Sequence, residues 1–389
     1  MKKIPLVWFG AAVSIAEIMT GTLLAPLGWH KGIFVIIIGH LIGCLLMYLV
    51  GLIGTQTGMG TMDSTSLSFG KIGSRIFAGF NALQLVGWTG IMIYSGASAA
   101  QLLLPRLGYA IWASAIALLI LVWLIAYFKE PGILPTVTMA LLFILTIIAS
   151  RTVFTTTRGM LPIDNSITIW SGLELSIAMP LSWLPLIGDY TSEEKANEKI
   201  PLASAIVYFA ASSWMYLLGL GCAMHEGSSD FALILKNSGL PVAGVLVIVL
   251  STVTTTYLDA YSCGISLKTF DFRERPSAII CTAIGLLLAL SVPSGSLEPF
   301  LYAISSIFVP MAAIQITDYF ILRKNASRVL LEGPSLVVFL AGLLLYHYLL
   351  HINCALGMSI PVLIITSVLE ICTEKLLSLK EKNKCLQKQ

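Results

Sequence analysis

Apolar runs bounded by charged or turn-forming residues set the pattern of the chain. They fall at about 4–28, 32–54, 72–104, 108–128, 132–150, 166–188, 202–224, 241–267, 277–292, 297–322, 334–351 and 354–374. A helix crossing about 30 Å of hydrocarbon needs about 20 mostly apolar residues, and there the helix itself must pair every backbone polar group. The pattern therefore predicts an all-α polytopic membrane protein of 12 transmembrane helices, with spans nine and eleven the shortest. The polar connections, of which 54–71 and 190–201 are the longest, are too short to fold alone. Lys2 and Lys3 precede an apolar run and a Ser14-Ile15-Ala16 triplet, as in a signal peptide, but the run continues to Trp29 and reads as an uncleaved first span.

Composition agrees and narrows the classes. Of 389 residues, 57% are hydrophobic and 11% charged, where about a quarter charged is usual, so a soluble enzyme is excluded. A net charge of +3 gives no case for nucleic acid. Seven cysteines without a CxxC pair suggest neither a disulfide framework nor a zinc site. With the N-terminus inside, the outer loops hold only Lys31, Arg106, Arg151, Arg158 and Lys236 of the 23 Lys and Arg residues. That bias predicts cytoplasmic N- and C-termini in the inner membrane, with a basic tail over 375–389 that is solvated or lies on lipid headgroups.

Several spans are more than hydrophobic pegs. Glu17 lies midway along span one and Asp259 deep in span eight, where an acidic side chain costs about 2.5–3.5 kcal/mol and so faces the bundle interior. Asp189 and Asp318 sit near span ends, positions suited to capping or ion pairing. Pro180 and Pro185 predict a break in span six, because each removes a backbone donor and clashes with the preceding turn. Ser14, Glu17, Thr20 and Gly21 predict unwinding in span one. Spans one and six are an odd number apart, so two five-span repeats would run antiparallel, with the site at midplane. The repeats occupy 1–150 and 166–322, and two peripheral helices occupy 334–374.

In span three, Asn81, Gln84, Trp88, Met92 and Ser95 share one helical face, which suits stacking on a flat ring. In span eight, Ser251, Thr255, Asp259 and Ser262 share a face with Thr254 on its flank, and such oxygens near an unwound helix can hold a small hard cation. His40 and His347 have no partner at ligand spacing, and no HExxH or serine–histidine pattern appears, so an enzyme is not indicated. A channel is disfavoured because no filter-like loop is visible.

Five motifs in order carry a resemblance: Trp8-Phe9-Gly10 with Ser14-Ile15-Ala16, Gly87-Trp88-Thr89-Gly90, Gly188-Asp189-Tyr190-Thr191, Tyr261-Ser262, and Thr317-Asp318-Tyr319-Phe320-Ile321-Leu322-Arg323. Over nearly its whole length the chain resembles the nucleobase:cation symporter family, closest to a bacterial cytosine-permease-like branch assigned to hydroxymethylpyrimidine, a thiamine precursor. The resemblance implies a leucine-transporter-type 5+5 inverted repeat plus two peripheral helices, working by alternating access. It implies that Trp88 stacks on the heterocycle, that Trp183 covers the other face, and that Asp259 reads the edge where the family has an amide. It also implies a sodium site from the carbonyls of Ala12 and Ile15 and the hydroxyls of Thr254 and Thr255. Where family members carry a glutamine one turn after the tryptophan this chain has Met92, with Gln84 one turn before instead. Glu17 joins the candidate substrate set and is also a candidate proton carrier, so the coupling ion reads as sodium or a proton. No cofactor and no obligate protein partner are expected; the partners are a small heterocycle and the lipid bilayer.

Overall fold

The computed structural model describes residues 3–126, 134–155, 166–194, 196–226, 241–291, 297–352 and 354–386. Its helices are α1 (Lys3–Ala12), α2 (Ile15–Thr22), α3 (Gly28–Thr57), α4 (Thr61–Ser64), α5 (Ser66–Leu103), α6 (Tyr109–Ala126), α7 (Leu134–Thr155), α8 (Ile169–Thr191), α9 (Lys199–Glu226), α10 (Pro241–Leu267), α11 (Glu274–Ser291), α12 (Leu297–Ile316), α13 (Gly333–His351) and α14 (Ser359–Leu386). No strand occurs among the described residues. Every apolar run carries a helix, and the first carries two. Seven stretches are long and apolar enough to cross a membrane by length and composition alone. Of the charges counted for orientation, Lys2, Lys129, Arg158, Lys195, Lys236 and Lys388 lie outside the described residues.

The bundle is turned inside out relative to a soluble protein. Leu41 and Leu45 of α3, Leu118, Val122 and Ile125 of α6, and Leu340 and Leu344 of α13 are exposed, whereas Glu17, His40, Glu174 and Asp259 are buried. That arrangement suits a hydrocarbon surround, where apolar side chains lose nothing by facing outward and polar groups must find partners within. The inner layer packs α3 on α8 and α9, and α5 on α10 and α11. Close approach of α3 to α8 depends on Gly39, where an added Cβ would lie 2.4 Å from the Ser176 Cβ. Small residues of this kind let membrane helices meet backbone to backbone.

Span one does break, at Val13–Ser14, but Glu17, Thr20 and Gly21, also expected to unwind, are helical in α2, which the Ser14 cap starts. Span six does not: α8 runs unbroken through Pro180 and Pro185, against the expectation from its prolines. The prolines withhold ladder donors from the Ser176 and Leu181 carbonyls, and neighbouring helices bond carbonyls close by. The Tyr216 hydroxyl donates to the Leu175 carbonyl at 3.2 Å, and Gln84 Nε2 donates to the Ser182 carbonyl at 2.9 Å. Thr61 of α4 inserts into the ladder itself, its Oγ1 accepting the Gly188 N–H at 2.7 Å and donating to the Leu184 carbonyl at 3.4 Å. Buried proline helices hold together when such partners exist.

α5 bends at Gly70, whose φ of 74° only glycine adopts without strain. The chain after α12 completes the bend: Ala326 N–H donates to the Leu67 carbonyl at 2.7 Å, Glu332 N–H to Phe69 at 3.1 Å, Lys71 N–H to Val329 at 3.1 Å and Ile72 N–H to Leu330 at 2.8 Å.

Two clusters dock the last helices. Glu174 of α8 accepts bonds from the Tyr346 and Ser359 hydroxyls and from the Met358 and Ser359 N–H groups. Lys324 meets Glu332, Glu370 and Glu374 and donates to Ser335 at 2.7 Å. Burial works against the Lys324 charge, yet these carboxylates hold its pKa above the usual lysine value. Asp318, placed at a span end where capping or ion pairing was expected, makes no ion pair with the nearby Arg323 among the described residues. Both Asp318 carboxylate oxygens lack a hydrogen-bond partner among the described residues.

Candidate functional site

The break in span one is built from Ser14. Its backbone is extended (φ −136°, ψ 160°) and its hydroxyl accepts the Glu17 N–H at 3.4 Å, a serine N-cap that starts α2. Ala12 closes α1, its carbonyl accepting the Ser14 N–H at 3.0 Å, and the Val13 carbonyl accepts the Ser251 hydroxyl of α10 at 3.5 Å. Ile15 is the first residue of α2, so its carbonyl belongs to that helix's own ladder. One turn beyond Ser251, the buried Thr255 hydroxyl has no partner among the described residues, while Thr254 donates to the Ser251 carbonyl at 2.9 Å. α10 thus brings the Ser251 hydroxyl to the unwound backbone, with two further hard oxygens in the next turn.

α5 supplies the polar stripe, all of it buried. Asn81 Nδ2 donates to the Ser266 hydroxyl at 2.7 Å, and Gln84 Nε2 donates both to Asn81 Oδ1 and to the Ser182 carbonyl at 2.9 Å, which ties α5 to α10 and α8. Ser95 turns back onto the Ile91 carbonyl at 2.7 Å. Trp88 stands edge to face with Phe300 at 5.3 Å and is 6% exposed, and its Nε1 has no partner among the described residues. Gln84 Oε1 is likewise unpaired.

On α8, Trp183 meets Trp8 of α1 edge to face at 6.1 Å, and Trp8 meets Tyr190 at 5.5 Å. Trp8 belongs to this aromatic group but was not among the candidate residues. The available signal was its place one helical turn before the break. Asp259 is 2% exposed with Oδ1 unpaired, and Cys281 of α11 lies beside it. No hydrogen bond joins Asp259 to Trp88, Trp183 or Glu17 among the described residues; α10 packs along α5, and the Gln84–Ser182 bond links α5 to α8 next to Trp183.

Glu17 is differently employed. The Tyr208 hydroxyl donates to its Oε1 at 2.6 Å and the Ser212 hydroxyl contacts its Oε2 at 2.7 Å, both from α9. His40 of α3 stands behind Ser212, its Nε2 2.7 Å from the hydroxyl oxygen. Each Glu17 carboxylate oxygen thus holds one bond from α9, and no bond among the described residues joins it to Trp88.

A sequence profile of permeases for cytosine/purines, uracil, thiamine and allantoin matches residues 2–331. The cytosine permease of Escherichia coli (strain K12) is 24% identical over 379 residues, spanning 90% of this chain and 86% of that protein. A putative purine-cytosine permease of Bacillus subtilis (strain 168), YxlA, is 24% identical over 372 residues, spanning 83% of this chain and 76% of that one. Among solved structures, Mhp1, a nucleobase-cation-symport-1 family transporter in a closed conformation with bromovinylhydantoin bound, superposes with a TM-score of 0.79 at 17% identity, covering 97% of this chain and 92% of that one. The inward-facing conformation of Mhp1 gives 0.78 at 16% identity, covering 97% and 90%. This chain and Mhp1 share one all-helical, leucine-transporter-type fold.

Proposed function

The chain belongs to the family of permeases for cytosine/purines, uracil, thiamine and allantoin, a multi-pass membrane transporter and not an enzyme, and we propose that it imports an aminopyrimidine, with hydroxymethylpyrimidine the favoured substrate, by cation-coupled alternating access. The observation that carries this reading is the unpaired, fully buried Oδ1 of Asp259. A buried acceptor without a donor costs about 1–3 kcal/mol, which a ligand recovers by supplying the donor. A carboxylate only accepts, so it matches an exocyclic amino group and disfavours uracil or hydantoin, which present a carbonyl there. Trp88 stacks on the ring in this reading, Trp183 covers its other face, and Gln84 Oε1 supplies a second acceptor. Twelve spans, cytoplasmic termini, repeats over 1–150 and 166–322, and peripheral helices over 334–374 belong to the same proposal.

The coupling ion is read as sodium, held by the Ala12 and Ile15 carbonyls with Thr254 and Thr255. The buried, unpaired Thr255 hydroxyl, one turn beyond the Ser251 that bonds the break, supports it. A second reading, a cytosine permease, is favoured by the 24% identity to the Escherichia coli cytosine permease.

The test is uptake of labelled hydroxymethylpyrimidine into proteoliposomes holding the purified chain, with and without an inward sodium gradient and with excess unlabelled cytosine. Sodium-dependent accumulation that resists cytosine is expected. Accumulation abolished by cytosine would move the assignment to the second reading, and no accumulation of either compound would overturn the substrate class.

A further inference from the structure

The hydrogen-bond arithmetic around His40 is unusual. Its Nδ1 lies 2.9 Å from the Ile36 carbonyl, which can only accept, so Nδ1 carries a hydrogen. Its Nε2 lies 2.7 Å from the Ser212 hydroxyl, and that hydroxyl lies 2.7 Å from Glu17 Oε2. Serine has one hydrogen to give. If it goes to Glu17, His40 must donate from Nε2 as well and is an imidazolium beside a carboxylate. If it goes to His40, Glu17 must be protonated and donate to Ser212. Both arrangements hold one proton more than a neutral histidine with a free carboxylate. Without that proton, two lone pairs face each other in one of the two 2.7 Å contacts, and the contact has to open.

The chain spans three helices: His40 sits on α3, Ser212 on α9 and Glu17 on α2. α2 is the half of span one beyond the break, and its backbone lies tight against α9, where a Cβ at Gly219 would sit 2.0 Å from the Ile18 carbonyl oxygen. The surroundings supply no fixed charge to replace the proton. From α9, Tyr208 donates to Glu17 and Tyr216 packs its ring on His40 at 4.6 Å; from α3, Cys44 lies near the carboxyl. α5 and α10, also packed on α2, present no charged group to Glu17 among the described residues.

We propose that His40 is a proton-binding residue of this carrier, with Ser212 as relay and Glu17 as its carboxylate partner, and that proton occupancy clamps α2 onto α9 and α3. With the proton bound, the chain is neutral overall and the clamp is closed. Its release to water leaves a net negative charge, opens one contact and frees α2 to move, so the proton is bound from one aqueous side and released to the other as the carrier changes state. This site is separate from Asp259 and Trp88, but its role in transport rests on the reading of the chain as an aminopyrimidine carrier.

A substrate-free measurement keeps the two readings apart. Infrared difference spectra of the purified chain in lipid, titrated from mildly acidic to mildly alkaline, are expected to show imidazole and carboxyl bands changing together at one midpoint. Both signals should vanish in His40→Gln and separate in Ser212→Ala, which cuts the relay and leaves both end groups in place. Bands that titrate independently in the unaltered chain, or are unchanged in Ser212→Ala, overturn the proposal even if pyrimidine uptake is robust. In proteoliposomes with a fixed inward sodium gradient, an added inward pH gradient should drive further accumulation of labelled hydroxymethylpyrimidine or cytosine. His40→Gln should lose at least tenfold of that accumulation while retaining exchange of labelled for unlabelled substrate. Gradient-driven accumulation equal to the unaltered chain sinks the proposal, as does loss of exchange in His40→Gln when Ser212→Ala behaves as the unaltered chain. If neither compound is carried at all, the substrate reading fails and the infrared result alone decides the proton site.

Discussion

Glu174 and Asp259 are both buried carboxylates on inner helices, at 1% and 2% exposure, and their surroundings are opposite. Glu174 accepts four hydrogen bonds, two of them from the backbone at the start of α14. Asp259 has an oxygen with none. Burial alone therefore does not mark a binding group. Unspent hydrogen-bonding capacity adds the distinction in mid-span, where a structural carboxylate has to be saturated by its own protein; Asp318 also lacks hydrogen-bond partners, but at a span end beside the Lys324 charge. Glu17 is a third case, saturated only while an additional proton is present.

The largest expected effect tests the saturated member. Glu174→Ala leaves four donors without an acceptor, and at about 1–3 kcal/mol for each buried group left unpaired the loss should be at least about 4 kcal/mol. It should be read as a lowered unfolding temperature in detergent and a poor folded yield. Near-unchanged stability would dissolve the contrast. Asp259→Ala should reverse the pattern, with folded yield kept and uptake falling about a hundredfold, about 2.8 kcal/mol at 1.4 per tenfold. Asp259→Asn sharpens it: the amide brings a donor, so uptake of labelled uracil relative to cytosine should rise about tenfold in competition assays.

Trp88→Ala comes next, at about 1–3 kcal/mol of stacking, seen as weaker substrate-induced quenching of tryptophan fluorescence with unfolding temperature little changed. The smallest effect is Thr61→Val. It removes the hydroxyl that patches α8 at Gly188 and should cost about 1 kcal/mol in stability, with uptake lowered less than in Trp88→Ala. An unchanged unfolding temperature would show that the α8 ladder closes by itself.

Much of this was legible along the chain, for identifiable reasons. The span-one break has a local cause, a serine cap, and the α5 stripe follows from helical periodicity, so both are visible in sequence. Glu17 and Asp259 stand out because charge inside an apolar run is rare. Glu174 carries the same signal and was passed over, lying toward the beginning of its span. The continuity of α8 was misread because the donors that stabilise it come from Thr61, Gln84 and Tyr216, on three other helices. The link from His40 to Ser212 spans 172 residues of sequence, a separation that no spacing rule reaches. Asp189 is intermediate: an N–H partner for it was foreseeable at a span end, but not that Thr61 would supply it, at 3.1 Å.

The bend of α5 at Gly70 has a consequence in time. Its backbone groups are paired by residues 326–332, and Lys71 waits for Val329, which is made 258 residues later. At about 5–20 residues per second of synthesis, span three spends roughly ten seconds to a minute with that stretch of backbone unpaired. The third span is thus among the first translated and among the last completed. An early-made segment stays open to the translocation machinery until the connector behind span ten arrives to close it.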